Sequence, residues 1–150
     1  MKLGDFGVSR VLSATAELAK TFVGTPYYLS PELLSNLPYG PASDVWALGC
    51  ILYEVATLEH PFDAKNFPSL ATKIVNSEPE PIAHRRPYHA GGDVASLDEL
   101  FRGMIRKQPT SRATLPMLLA APIVQRRMLA FVEEVDPAAP MAPARPQAAE

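Results

Sequence analysis

The side chains of this sequence that most often do chemistry lack the spacing of common metal and hydrolase sites. His60, His84 and His89 do not have the spacing of zinc ligands, and the single cysteine, Cys50, cannot complete a cysteine-rich site. No G-x-S-x-G sequence marks a nucleophile elbow. The sequence therefore argues against a zinc centre and against a hydrolase of that type.

What remains is a series of short motifs whose order is more specific than any one of them. Asp5-Phe6-Gly7 comes first, and alone it is equally consistent with a plain turn, because Gly7 permits a turn that most residues cannot make. The next segment, Thr21 to Glu32, holds two prolines and a glycine among aromatic residues, which indicates an irregular but packed conformation. The later motifs, in chain order, are Gly24-Thr25-Pro26-Tyr27-Tyr28, Ser30-Pro31-Glu32, Asp44-Val45-Trp46-Ala47-Leu48-Gly49 and Arg112.

This order of motifs resembles the C-terminal part of a eukaryotic protein kinase domain. The segments GTPYYLSPE, SDVWALGC and YEVATLEHPF resemble those of the NIMA-related (Nek) serine/threonine kinases in particular. The resemblance covers about Lys2 to Glu133. The family usually has Ala-Pro-Glu where this chain has Ser30-Pro31-Glu32. The resemblance implies a mainly α fold, a partial C-terminal lobe in which an activation segment and about five helices surround a buried central helix.

The resemblance also implies phosphoryl transfer from ATP, with Mg²⁺ as cofactor, to serine or threonine of protein substrates. Asp5 would bind the Mg²⁺ that bridges the ATP phosphates, with Phe6 packed beneath it and Gly7 in the turn. The activation segment would run from Asp5 to Glu32. Within it Thr21 matches the family's usual phosphorylation site, with a simple loop threonine as the alternative.

A second group of residues would face the substrate peptide. By resemblance, Gly24, Thr25, Pro26 and Tyr27 form the floor on which the peptide lies. Thr25 matches the threonine that distinguishes serine/threonine kinases from tyrosine kinases. Core packing is the alternative role for Tyr27 and for its neighbour Tyr28.

Three charged residues have structural roles by the same resemblance. Glu32 and Arg112 would form a buried ion pair that ties the activation segment to the helical core. Asp44 would accept hydrogen bonds from the backbone of the catalytic loop, and capping of its own helix is the alternative.

The element that must position these residues is the apolar stretch 44–62, which predicts a core helix with no wide polar face. Its apolar run is far shorter than the roughly 20 residues that span a bilayer. Pro41, Ser43 and Asp44 provide start signals, and His60-Pro61 provides a stop.

Further helices are predicted after the core helix. The first spans Asn66–Asn76, with Asn66 as N-cap, and a clearly amphipathic one follows Ser96, which with Glu99 reads as a capping box. A short helix spans Thr114–Ala121 and another begins at Pro122. The apolar stripe of this last helix consists of Val124, Met128, Phe131 and Val132.

The length, composition and net charge of the sequence indicate how many domains it forms and which kinds of partner it binds. The 150 residues are 47% hydrophobic and 20% charged, with a net charge of −2, which gives no electrostatic reason to bind nucleic acid or an anionic membrane. We expect a partial kinase domain over residues 1–133 and a disordered Pro/Ala-rich tail over 134–150. The absence of a signal peptide, a buried Cys50 and the family together predict the cytoplasm, centrosome, cilium or nucleus.

Much of the kinase machinery would have to lie before Asp5. The Gly-rich loop, its partner lysine and the catalytic loop with the proton acceptor are not in the sequence, so we expect a kinase fragment that is inactive alone. The alternative is a non-catalytic binding or regulatory module. Without the preceding helix of the lobe, an apolar face near Trp46 and Leu52 should be exposed and should promote self-association.

Overall fold

The computed structural model describes residues 26–85 and 93–135, and all regular structure within these two ranges is helical. The prediction of a mainly α fold is confirmed. Short 3₁₀ helices occupy Pro26–Tyr28, Ile82–His84 and Pro109–Ser111. The α-helices are α1 (Pro31–Leu34), α2 (Pro41–Thr57), α3 (Phe67–Asn76), α4 (Val94–Met104), α5 (Leu115–Ala120) and α6 (Pro122–Val135).

The core helix α2 begins earlier than the predicted residue 44. Gly40 is its N-cap: the backbone N–H of Ser43 donates to the carbonyl of Gly40 at 2.8 Å, and Pro41 occupies the first helical position, where its missing N–H costs nothing. Asp44 lies inside the first turn and is exposed. The alternative role for Asp44, as the cap of its own helix, is therefore wrong, because Gly40 occupies the cap position.

The same helix also ends before the predicted stop at His60-Pro61. Leu58 adopts the left-handed conformation with φ of 59°, and its N–H donates to the Glu54 carbonyl at 2.8 Å. The hydroxyl of Thr57 donates to the Tyr53 carbonyl at 2.8 Å. The side chain of the last helical residue and the left-handed turn thus end α2 before the proline is reached.

One face of α2 forms the centre of the core. Trp46, Cys50 and Tyr53 on this face are almost completely buried. Tyr53 packs on Phe101 of α4 with ring centroids 4.9 Å apart, and Trp46 stacks on Phe62 at 5.8 Å. Burial raises the pKa of the Cys50 thiol to about 12.

The opposite face of α2 is open to solvent, so the helix is not buried all round. Leu48, Ile51 and Val55 on that face are 46%, 47% and 64% exposed. The predicted apolar face is therefore exposed on the side of Leu52, whereas the prediction is wrong for Trp46, because the ring of Phe62, which follows the helix in the chain, covers it. Leu52 is half-buried at the border between the two faces.

Two polar caps fix the helices that pack around α2. Asn66 caps α3 as predicted, since its side chain accepts from the Ser69 N–H at 3.0 Å. Asp93 caps α4 by accepting from the Ser96 N–H at 3.0 Å. The predicted capping box at Ser96 is therefore wrong, since the helix begins at Val94 and Ser96 lies inside its first turn. Aspartate is as good a helix cap as serine, and Asp93 takes that position.

The connection between α3 and α4 contains an ordered anchor. Ile82, in the 3₁₀ helix Ile82–His84, is fully buried, and its N–H donates to the carboxylate of Asp98 on α4 at 2.8 Å. Asp98 also binds the Arg102 side chain at 2.7 Å. These bonds satisfy a buried carboxylate and hold the connection against α4.

The last two helices bury little. α5 buries Leu118 alone, and α6 buries no residue although it was predicted to carry an apolar stripe. The stretch Pro109–Val135 is long and apolar enough to cross a membrane by length and composition. In this structure it is divided between the 3₁₀ turn Pro109–Ser111, α5 and α6, and its Arg112 lies buried in the core.

Candidate functional site

A buried ion pair joins Glu32 of α1 to Arg112, which follows the 3₁₀ turn Pro109–Ser111. Arg112 Nη1 donates to Glu32 Oε1 at 2.8 Å and Nη2 donates to Oε2 at 2.9 Å, which is the parallel two-bond geometry of an ideal guanidinium–carboxylate pair. Both residues are 4% exposed. These are the two residues that the kinase resemblance pairs, and they are 80 positions apart in the chain.

Neighbouring groups satisfy the rest of this ion pair. The Ser43 hydroxyl donates to Glu32 Oε1 at 2.8 Å, and Arg112 Nε donates to the Arg106 carbonyl at 3.0 Å. Arg112 also donates to the Ala42 carbonyl, and its guanidinium lies 5.2 Å from the centroid of the Trp46 ring. The pair thus joins α1, the start of α2 and the loop after α4 at one buried point.

The hydrogen bonds to Glu32 explain the lowered pKa of its carboxyl group. Burial alone raises the pKa of a carboxyl group, but the hydrogen bonds from Arg112 and Ser43 outweigh that effect and lower the pKa of Glu32 to about 2. Glu32 is therefore ionised at neutral pH in spite of its burial. Its role in this geometry is to hold the backbone that precedes α1.

That backbone contains the 3₁₀ helix Pro26–Tyr28, which is anchored on the end of α2. The Tyr28 hydroxyl donates to Glu54 Oε2 at 2.7 Å, which raises the pKa of Tyr28 above its ordinary value. The Tyr27 ring stacks on the imidazole of His60, with centroids 3.9 Å apart and planes 10° from parallel. His60 Nδ1 also lies 3.6 Å from Glu54 Oε2. Tyr27 and Tyr28 are both half-buried.

Sequence reasoning did not identify Glu54 or His60 as anchors of this segment. The sequence indicates His60 only as a helix stop and as a histidine without zinc spacing, and it gives Glu54 no role within the apolar helix. The sequence signal for Glu54 is a carboxylate near the end of an otherwise apolar helix. Such a charge requires a polar partner, which predicts a contact with another segment. Within the described ranges no group of three or more histidine, cysteine, aspartate or glutamate side chains is arranged to hold a metal ion.

Asp44 lies on a different side of the ion pair, at an open cleft. Its carboxylate accepts a hydrogen bond from the Tyr39 hydroxyl, and this bond raises the pKa of Tyr39 to about 12. The cleft has a volume of about 370 Å³ and is lined by both Asp44 and Arg112. The residues that the structure brings together are therefore Glu32, Arg112 and the Ser43–Asp44 turn.

Other predicted site residues lie outside the described ranges. These are Asp5, Phe6 and Gly7 of the predicted metal and nucleotide site, Thr21, and the peptide-facing Gly24 and Thr25. Pro26 begins the first described element. The predicted metal and phosphorylation sites thus remain predictions from the sequence.

Comparison with known proteins shows which protein family the sequence resembles. The sequence profile of the protein kinase domain matches residues 1–124. Serine/threonine-protein kinase Nek1 of Mus musculus is 40% identical over 132 residues, which are 88% of this chain and 10% of that protein. Nek4 of Mus musculus is 41% identical over 89% of this chain and 16% of its own length, and Nek5 of Mus musculus is 45% identical over 83% and 19%.

The chain spans between about a tenth and a fifth of the length of these three relatives. The matched part includes every residue of the Glu32–Arg112 pair and of the segment anchored on Glu54 and His60. The chain therefore belongs to the protein kinase family, within the Nek serine/threonine kinases.

Proposed function

We propose that this chain supplies the peptide-binding and helical part of a protein kinase that transfers the γ-phosphoryl group of Mg-ATP to serine or threonine. The observation that carries the proposal is the buried Glu32–Arg112 pair, which fixes the C-terminal end of the predicted activation segment on the core. Protein kinases in general use ATP and Mg²⁺. The choice of serine and threonine rests on the resemblance of Thr25 and on the names of the relatives.

The division of roles follows the positions of the residues. Asp5 would contribute a carboxylate to the Mg²⁺ that neutralises charge during the transfer. Pro26 to Tyr28 would support the peptide, with the phenol of Tyr28 fixed by Glu54 and the ring of Tyr27 by His60. Glu32 and Arg112 would act on catalysis only by holding this segment in place.

Phosphorylation of Thr21 is the proposed means of activation. A phosphate on the activation segment adds a strongly charged acceptor that basic groups can bind, and this orders the segment in kinases of this type. The proposal predicts that a Thr21→Ala variant of the active species loses activity while its helical content is unchanged.

The test begins with the protein as its own gene produces it. We would recover it with an antibody against residues 97–108, measure its intact mass, and assay transfer of labelled γ-phosphoryl from Mg-ATP to casein. Asp5→Ala should abolish transfer, because the metal loses its carboxylate ligand, whereas the exposed Asp63→Ala serves as the matched control. Labelled phosphoserine and phosphothreonine, without phosphotyrosine, are the expected products.

Mass and activity together separate the proposed function from a regulatory module. A species more than twice the 16.3 kDa of this chain, with transfer that depends on Asp5, would support the kinase. The 150-residue chain alone should give no transfer, and Asp5-dependent turnover by it would contradict that expectation. A 16.3 kDa species without transfer would overturn the kinase function and favour a non-catalytic module.

A further inference from the structure

The connection between α2 and α3 presents His60 to the peptide-facing segment. We call its residues 59–63 the His60 loop. The imidazole of His60 stacks on the ring of Tyr27 with centroids 3.9 Å apart, and Phe62 of the same loop covers Trp46 in the core. The position of the His60 loop therefore determines how firmly the segment before α1 is held.

Cationic side chains from later elements hold both ends of the His60 loop. Arg85 forms an ion pair with Glu59 at its start. At its other end, Lys73 Nζ on α3 donates to the backbone carbonyl of Asp63 at 2.7 Å. Among the ion pairs of residues 26–85 and 93–135, none includes Lys73, so its bond to the loop is to a neutral acceptor. A charged acceptor within its reach would compete for this ammonium group.

Ser77, the residue that follows α3, offers a position for such an acceptor. Its N–H donates to the Lys73 carbonyl at 2.9 Å, and the spacing of four residues places both side chains on one face of the helix. Ser77 is exposed, and it lines with Lys73 a cleft of about 590 Å³ whose other wall is the His60 loop. Arg85 also lines the cleft, but it is already paired with Glu59 and Glu80.

The chain around Ser77 suits it as the acceptor of a phosphoryl group. Its backbone is extended, with φ of −112° and ψ of 148°, and residues 77–81 have no regular structure, so the segment can enter the cleft of another kinase with little unfolding. Glu78 and Glu80 lie one and three residues after Ser77. Two acidic side chains at these positions attract a kinase whose peptide groove is basic.

We propose that Ser77 is a phosphorylation site whose phosphate detaches Lys73 from the His60 loop. In the reaction, the Ser77 oxygen attacks the γ-phosphorus of ATP in the modifying kinase. The new P–O bond forms, the bond to ADP breaks, and the hydroxyl proton passes to a base of that kinase. The phosphoserine carries nearly two negative charges and three strong acceptor oxygens.

The geometry of α3 gives the direction of the effect. Side chains of a helix lean towards its N-terminus, and this lean takes Lys73 to the Asp63 carbonyl. Ser77 lies on the C-terminal side, so Lys73 must turn away from Asp63 to bind a phosphate there. The charged phosphate is the stronger acceptor, so the His60 loop loses the hold of Lys73 and the stack on Tyr27 loosens. The consequence for peptide phosphorylation rests on the proposed function, whereas the consequence for the loop does not.

The first test is phosphorylation of the 150-residue chain by an acidophilic kinase of the casein-kinase type with Mg-ATP. Mass spectrometry of the peptides should place the phosphate on Ser77. Ser77→Ala should remove it, and Ser69→Ala, at an exposed serine of α3, is the matched control. Glu80→Gln should slow the modification at least about tenfold, because the acidic side chain recognised by the kinase is lost.

The second test is amide hydrogen exchange of the phosphorylated chain. Exchange at residues 59–63 and at Tyr27 and Tyr28 should be about three to ten times faster than in the unmodified chain, since one hydrogen bond to the loop is lost. Lys73→Met should accelerate exchange by a similar factor without phosphate, and phosphorylation of Lys73→Met should add no further change. Lys65→Met, which removes another exposed lysine, is the matched control.

Three results would overturn the proposal. They are a chain that stays unmodified at Ser77, a phosphoserine that leaves exchange of the His60 loop unchanged or slows it, and a phosphate that accelerates exchange in Lys73→Met as much as in the wild type. None of these measurements uses kinase activity of the chain. Faster exchange together with unchanged transfer to casein by the longer, active species would support the Ser77 site and contradict the peptide-binding role proposed for Tyr27.

Discussion

Gly49 on α2 faces Met104 on α4 so closely that a Cβ atom at Gly49 would lie 2.9 Å from the Cβ of Met104. Cβ atoms do not approach one another to this distance, so the two helices meet at a point where one of them has no side chain. The same pair of helices packs Tyr53 on Phe101. The glycine therefore determines how near α4 can come to the centre of the core.

Gly49→Ala should destabilise the protein. The added methyl group would force α4 away from α2, and overpacking of this kind costs about 1–3 kcal/mol, which exceeds the gain of up to about 1 kcal/mol from the better helix propensity of alanine. Urea unfolding followed by circular dichroism measures the change. Equal or greater stability of the variant would show that α4 can shift without loss of packing.

Gly103→Ala is the matched control for that substitution. A Cβ at Gly103 would lie 3.5 Å from the nearest atom, the Cβ of Ala113, which is an ordinary contact. The methyl group fits there, so helix propensity should dominate and raise the free energy of unfolding by up to about 1 kcal/mol. Opposite signs at the two glycines are the expected outcome.

Removal of one partner of the buried ion pair should cost far more than removal of a surface pair. Arg112→Met leaves the carboxylate of Glu32 buried without its cation, which typically costs about 3–5 kcal/mol. Arg126→Met removes an ion pair with Asp93 in which both side chains are exposed, and it should cost less than about 1 kcal/mol. Thermal unfolding of both variants gives the comparison, and equal losses would contradict the role assigned to Glu32.

Stability should fall in acid through Glu32. Its pKa is lowered from 4.5 to about 2 in the folded protein, so the stabilisation is fully present above about pH 4.5 and is lost as the pH falls towards 2. The difference in free energy of unfolding between the wild type and Glu32→Gln should therefore shrink from about pH 5 to about pH 3. A difference that stays constant over that range would mean that Glu32 keeps its ordinary acidity when folded.

Tyr28→Phe should loosen the segment before α1. The substitution removes the 2.7 Å hydrogen bond to Glu54, at a cost of about 1 kcal/mol, and should speed amide hydrogen exchange at residues 27–30. Tyr39→Phe removes a hydroxyl group at an exposed position and should leave hydrogen exchange at residues 27–30 unchanged. Unchanged exchange in Tyr28→Phe would show that the Tyr27–His60 stack holds the segment without the hydrogen bond.

The core helix and the ion pair illustrate how far the sequence could be interpreted. The apolar run around Trp46 predicted a central helix, and the resemblance to protein kinases paired Glu32 with Arg112. The helix prediction rests on the spacing of apolar residues, whereas the pairing rests on the family that the order of the motifs resembles. The mainly α class followed from the same resemblance.

The predictions that were wrong or missing concern two things: the choice between neighbouring helix caps, and contacts between residues that are distant in the chain. Asp93 and Ser96 are both good helix caps, and the choice of Asp93 depends on where the chain meets the core. Burial of Trp46 depends on Phe62, which lies beyond the end of its own helix. The anchoring of Tyr27 by His60 is a contact between distant positions, and no local pattern encodes it.

The thiol of Cys50 gives this protein an internal reporter of its own opening. Cys50 is the single cysteine of the sequence, lies at the centre of the core and has a pKa raised to about 12 by burial. Because Cys50 is completely buried and the thiolate is the reactive form, an alkylating reagent can modify it only in molecules whose core has opened around α2. The alkylation rate of the unmodified chain, compared with that of an unfolded sample, would thus measure the free energy of core opening without any added label.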